Sequence, residues 1–177
     1  RSSDLAADVN GDGIDDIIAN SNDPANSYLV WYDIPENPSE QWPHVIIGSG
    51  IHGGTDPKGA ADLDNDGDVD IVRGDSWFEN NTGNGYTWTE HPVLKPDGGS
   101  RAGKYGLAFK TWVTDIDKDG DPDVVMPDHW LENRQAGTEW VRHQIPFGKR
   151  GPWGLSSRSW ITDRNSDGHP DIVMVDC

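Results

Sequence analysis

The sequence predicts an all-β chain built from a repeated four-stranded antiparallel unit, and three observations carry that expectation. First, one phrase occurs four times, as DVNGDGIDDII from Asp8, DLDNDGDVDIV from Asp62, DIDKDGDPDVV from Asp115 and DRNSDGHPDIV from Asp163. Second, its first residue recurs after 54, 53 and 48 residues. Third, each copy runs into a β-branched or apolar stretch, IIA, IVR, VVM or IVM, and no helical period is present.

Within each phrase, acidic or amide side chains stand at the first, third, fifth and ninth positions. They are Asp8, Asn10, Asp12 and Asp16, then Asp62, Asp64, Asp66 and Asp70, then Asp115, Asp117, Asp119 and Asp123, and finally Asp163, Asn165, Asp167 and Asp171. Like charges this close repel unless a cation or a proton relieves them. Calcium takes about six to eight hard oxygen ligands, and a D-x-[DN]-x-D-G loop offers them from alternate positions. The seventh residue (Ile14, Asp68, Asp121, His169) varies in type, as expected of a ligand that uses its backbone carbonyl. Glycine follows the third ligand every time, at Gly13, Gly67, Gly120 and Gly168, where a positive φ is easiest. The reading is therefore a metal site in each loop, up to four Ca2+ in all.

An EF-hand or dockerin opens alike but continues into a helix and closes with Glu at position twelve. Here that position holds Ala19, Arg73, Met126 and Met174. The loops are thus expected to join two strands.

Behind each loop, SWFENNTGNGYTWTEHPV (Ser76 to Val93) matches HWLENRQAGTEWVRHQI (His129 to Ile145), and more loosely VWYDIPENPSEQWPHVI (Val30 to Ile46). Each reads as a strand at Trp31, Trp77 or Trp130, a polar turn, and a closing strand. A unit of about fifty residues with four short strands is a β-propeller blade. The repeats fall at about 1–50, 51–98, 99–150 and 151–177, the last incomplete, in one partial domain spanning 1–177. Three and a half blades cannot close a ring, so further blades of the same protein or a second copy is expected to complete it, with seven blades a natural total. Trp77 and Trp130 are expected between blades. His44, His91 and His143 are expected at one repeated position, as hydrogen-bonding residues rather than catalytic ones.

The formal net charge is −17, from 14 basic and 31 acidic residues. Four divalent ions would offset about half of it, so the acidity is local metal chemistry, and nucleic acid is excluded as a partner on charge grounds. No apolar run is long enough for a membrane span. The opening RSSDLAADVN reads as the start of a mature or excised piece. The lone Cys177 excludes an internal disulfide, and Asn80 in NNT fits the N-glycosylation pattern.

The loops, followed by SWFEN or HWLEN and closed by WTEHPV or WVRHQI, resemble the VCBS/FG-GAP-type repeats of calcium-bearing β-propellers. The resemblance covers nearly the whole chain. It implies an extracellular or secreted protein, since similar blades occur in integrin α-subunit heads, lectins, surface adhesins, and propeller domains of polysaccharide lyases and sugar dehydratases.

Three functions follow as expectations. The first is a calcium-rigidified binding module for carbohydrate or a protein partner. Its contacts are expected in the loops that break the repeat, at His52, Arg101, Lys104, Tyr105, Trp153 and Arg158, where cationic and aromatic groups suit an anionic sugar. Lys58, Lys149 and Arg150 share those loops. The second is a lyase or dehydratase propeller domain. No nucleophile–base motif, HExxH sequence or phosphate loop accompanies the repeats, so the reading leans away from an enzyme and names no catalytic residue. The third is a structural subunit of an extracellular assembly, likewise a homo-oligomer.

Overall fold

A computed structural model of the chain describes residues 4–20, 28–49, 57–73, 76–92, 111–126, 129–146 and 158–175. These residues are all-β. The first sheet is β1 (Leu5–Ala7), β2 (Asp16–Asn20), β3 (Tyr28–Tyr32) and β4 (His44–Ser49), hydrogen-bonded in chain order. After a short β5 (Pro57–Lys58), a second sheet repeats the pattern with β6 (Ala60–Ala61), β7 (Asp70–Arg73), β8 (Ser76–Asn80) and β9 (Trp88–His91). A third contains β10 (Thr111–Thr114), β11 (Asp123–Val125), β12 (His129–Arg134) and β13 (Glu139–Gln144). Then β14 (Arg158–Thr162) and β15 (Asp171–Val175) pair as a hairpin. Consecutive antiparallel order within each sheet is the arrangement of a propeller blade.

The acidic loops set the register. In every copy the ninth-position Asp pairs with the residue just ahead of the first one: Ala7 with Asp16, Ala61 with Asp70, Thr114 with Asp123 and Thr162 with Asp171. A period of two then fixes which side chains face which neighbour. Ile71 and Phe78 join Leu5, Val9, Ile18, Leu29, Trp31 and Ile47 of the first sheet in one apolar cluster. The alternate residues Val72 and Trp77 join Leu63 with Val113, Val124, Met126 and Leu131 of the third. The second sheet is thus buried on both faces, and Trp77 lies between sheets as expected. Trp31 does the same, and Trp130 is half-buried.

The same turn receives each tryptophan. A Cβ on Gly85 would strike the Trp31 ring, and one on Gly137 would press on Trp77. Both glycines also have positive φ, 75° and 76°. These turns therefore need glycine for close approach as well as for conformation.

A buried asparagine locks each pair of sheets. Asn80 Nδ2 donates to the Val9 carbonyl in the preceding loop at 3.0 Å and to Val69 at 3.4 Å, while its Oδ1 accepts the Gly85 N–H at 3.0 Å. Asn133 repeats the pattern, donating to Leu63 at 2.8 Å and Pro122 at 3.2 Å and accepting from Gly137 at 2.7 Å. This corrects the glycosylation expectation, because Asn80 is fully buried and its amide nitrogen is engaged twice.

Two further expectations change. His44 does not share the position of the other histidines. His91 and His143 pair with Trp77 and Trp130, but His44 pairs with Tyr32, one residue along, and Val45 takes the place opposite Trp31. Lys58, expected in a loop that breaks the repeat, lies instead in β5, which runs parallel to β10 and adds a fifth strand to the third sheet.

Replacing Asn133 or Asn80 with Ala leaves a loop carbonyl and a turn N–H buried without partners. Each substitution should cost about 2–4 kcal/mol in chemical denaturation. A loss below about 0.5 kcal/mol would show that the asparagine is not a lock.

Candidate metal centres

All four loops share one backbone path. The sixth-position glycines Gly13, Gly67, Gly120 and Gly168 have φ of 89°, 99°, 103° and 86°. The fourth position is left-handed too, at Gly11, Asn65, Lys118 and Ser166, with φ of 73°, 61°, 68° and 59°. This second reversal gave no sequence signal because four different residue types occupy it.

Side-chain oxygens of the loop tie it to its own amides. The sixth-position N–H donates to the first-position carboxylate at 2.9 Å in the first and second loops, 3.2 Å in the third and 2.8 Å in the fourth. The seventh-position N–H donates to the fifth-position carboxylate at 2.8–2.9 Å, from Ile14, Asp68, Asp121 and His169 to Asp12, Asp66, Asp119 and Asp167. Asp68 itself packs against the Gly83 turn.

The ninth-position carboxylate has a different task. Asp70 Oδ2 accepts the Leu63 N–H and Oδ1 accepts the Asn80 N–H, both at 2.9 Å. Asp123 takes Ile116 and Asn133 at 2.8 Å each. Asp16 takes Val9 at 3.2 Å and Ile34 at 2.9 Å, and also the Trp31 indole at 2.9 Å. Asp171 takes Arg164 at 3.0 Å. In the first three sheets one carboxylate thus fastens the loop to the end of the third strand.

Burial holds these groups toward their neutral form. Asp16 is raised above the ordinary carboxylate range, Asp123 to about 6 and Asp70 to about 7, burial being the leading cause each time. The amide donors oppose this, while Asp64 and Asp66 add repulsion at Asp70. Asp64 is raised as well, by burial first, then by Asp66.

Among the described residues, Asp62, Asp64 and Asp70 bring one carboxylate oxygen each within 4.8 Å of the others, and Asp115, Asp117 and Asp123 do likewise. The first and fourth loops have Asn10 and Asn165 at the third position, so they bring fewer carboxylates together. Asp64 Oδ1 is buried with no hydrogen-bond partner. An anionic oxygen so placed, beside two further carboxylates, fits a hard cation.

Sequence reasoning missed an acid on or just past the third strand of each of the first three sheets. Asn10 Nδ2 donates to Asp33 at 3.3 Å. Glu79 repels Asp64, and it is engaged by His91 Nε2 at 2.7 Å, whose ring stacks on Trp77 with centroids 4.2 Å apart. Glu132 lies 2.5 Å from His143 Nε2 and forms two bonds with Arg134, at 2.5 and 3.0 Å, and His143 stacks on Trp130 at 4.3 Å. These acids lie outside the loop phrase, so only the spacing behind Trp31, Trp77 and Trp130 marks them.

Of the expected ligand-contact residues, His52, Arg101, Lys104, Tyr105 and Trp153 lie outside the described residues, as do Lys149 and Arg150. Arg158 begins β14, with no side-chain placement described. Lys58 is exposed, its amino group 5.6 Å from the Trp112 ring centre, and Trp112 lies 5.6 Å from the exposed Trp160.

Sheets in chain order, each with an acidic loop between its first two strands, define a class of repeat protein. Residues 8–73, from the first loop through β7, match the model of the FG-GAP-like repeat family. Neither the curated proteins nor the solved structures gave a match.

The raised Asp70 and Asp123 give a pH dependence of defined sign. In metal-free protein their stabilising contribution is full below the unfolded value of about 4 and is lost as pH rises through about 6 and 7. Chelated protein should therefore lose stability between about pH 4 and about pH 7 and level off above that, and Asp70→Asn should flatten that slope whatever its starting stability. A denaturation midpoint that rises across this interval in chelator would contradict the assignment.

Proposed function

We propose that the chain is a calcium-stabilised β-propeller module whose blades belong to a larger ring of seven, and that it serves outside the cell as a scaffold binding carbohydrate or a protein. The observation that carries the cation is the pair of three-carboxylate clusters, one containing the unpartnered Asp64 Oδ1. Calcium suits them better than a softer metal, because the donors are all hard oxygens and no His or Cys joins either cluster. When bound, the ion supplies charge neutralisation, and Asp62, Asp64 and Asp70, or Asp115, Asp117 and Asp123, would hold it. The role is structural: Asp70 and Asp123 also receive the amides that fasten third strands to loops, so an ion there braces the sheet.

The binding role rests on the fold and on composition. The long segments between the repeats carry the cationic and aromatic residues named above, and residues on connecting segments are disproportionately the ones that bind. Among the described residues no helix is long and apolar enough to cross a membrane.

Elemental analysis and thermal melting test the cation. Protein purified in calcium should retain the metal, and a chelator should lower its melting temperature by several degrees, since each site contributes about 2.7 kcal/mol when free calcium is 100-fold above its Kd. Unchanged melting together with absence of metal would overturn the reading. Substitutions rank the loops: Asp64→Ala or Asp117→Ala should weaken calcium binding about tenfold or more in titration calorimetry, and Asn10→Ala, which removes a neutral ligand, should do less. Equal losses would show that charge does not set the affinity.

A further inference from the structure

In two loops the left-handed fourth residue sends its side chain out of its own loop and into the next. Asn65 Nδ2 donates to Asp121 Oδ1 of the third loop at 2.6 Å. The other oxygen of Asp121 accepts the Ala136 N–H at 3.3 Å, so both ends of this carboxylate are held. The Lys118 amino group lies beside Gly168 of the fourth loop. The first loop has Gly11 at this position and no side chain to extend.

We propose that these residues set the cation affinity of the neighbouring loop, with opposite signs: Asn65 strengthens the third loop and Lys118 weakens the fourth. The proposal rests on the cation reading above. Asn65 is neutral and fixes Asp121, the seventh-position residue whose backbone carbonyl would face an ion, so the third loop is preorganised. Lys118 puts a positive charge beside a loop that already has Asn165 in place of a third-position carboxylate, and an incoming cation must approach against it. The loops would then fill in an order written into the fourth positions, with the fourth loop last.

Glycine is the appropriate test substitution, because φ of 61° at Asn65 and 68° at Lys118 is easy for it and the host turn keeps its path. Each loop also contains one sixth-position glycine, and the amide signals of Gly67, Gly120 and Gly168 report loops two, three and four separately in a two-dimensional NMR titration with calcium chloride. Asn65→Gly should raise the calcium midpoint of Gly120 about threefold and leave that of Gly67 in place; Lys118→Gly should lower the midpoint of Gly168 about threefold and leave that of Gly120 in place. A merely local role would move the glycine of the substituted loop instead. That result, or no shift in either neighbour, would overturn the proposal while leaving the cation reading intact. If the loop glycines of the unaltered protein ignore calcium, the cation reading falls and this proposal falls with it.

Discussion

The ninth-position carboxylate is the interaction on which the rest of this structure depends. Asp70 joins three parts of its sheet: it begins β7, it accepts the amide that starts the acidic loop, and it accepts the amide at the end of β8. Asp123 does the same for the third sheet, and Asp16 for the first with an indole added. Hydrogen bonds from several amides to one ionised carboxylate are stronger than neutral ones and fix geometry as well. Because Asn80 and Asn133 sit where those amides are, the carboxylate also aims the side chain that reaches the preceding sheet. In the second and third repeats, loop shape, strand register and the lock between sheets thus meet at one residue.

That residue has a cost, and the loop supplies its remedy. A buried carboxylate favours its neutral form, and the loop places further acids against it, so an ionised Asp70 needs compensation beyond two amides. A hard cation held by Asp62, Asp64 and Asp70 would meet that need and would satisfy the otherwise unpartnered Asp64 oxygen. The flanking acids show how the repeats differ. Asp33 is met by the neutral Asn10 amide, Glu132 by Arg134 and His143, and Glu79 by His91 beside a loop with four acids at its ligand positions. Identical backbones therefore carry different charge balances.

Much of this was legible in the sequence, and the parts that were not have physical reasons. Loop spacing, the glycine at position six and the β-branched runs all act locally, so the hairpins and their register followed from them. The FG-GAP-like repeat was recognisable on the same ground. Asn80 was misread because an N-x-T triplet carries no information about burial, and the lock depends on Val9, 71 residues away. His44 was misaligned because the shift along β4 exchanges faces without changing residue types nearby, so Val45 rather than His44 stands opposite Trp31. Two-residue β5 lies in a segment without strand character and is held by a partner far along the chain. Glu79 and Glu132 were not singled out because they lie outside the loop phrase, and only the fold shows Glu79 acting on Asp64 and Glu132 sharing Arg134 with Asp117.

The central claim is that the acidic clusters are compensated by a cation held at defined oxygens. Crystals grown with calcium, or with a divalent ion of stronger anomalous scattering in its place, would test it by anomalous difference density. The account predicts peaks at about 2.3–2.6 Å from carboxylate oxygens of Asp62, Asp64 and Asp70, and of Asp115, Asp117 and Asp123. Loops without such peaks, with the Asp64 oxygen turned to solvent or to a protein donor, would contradict it.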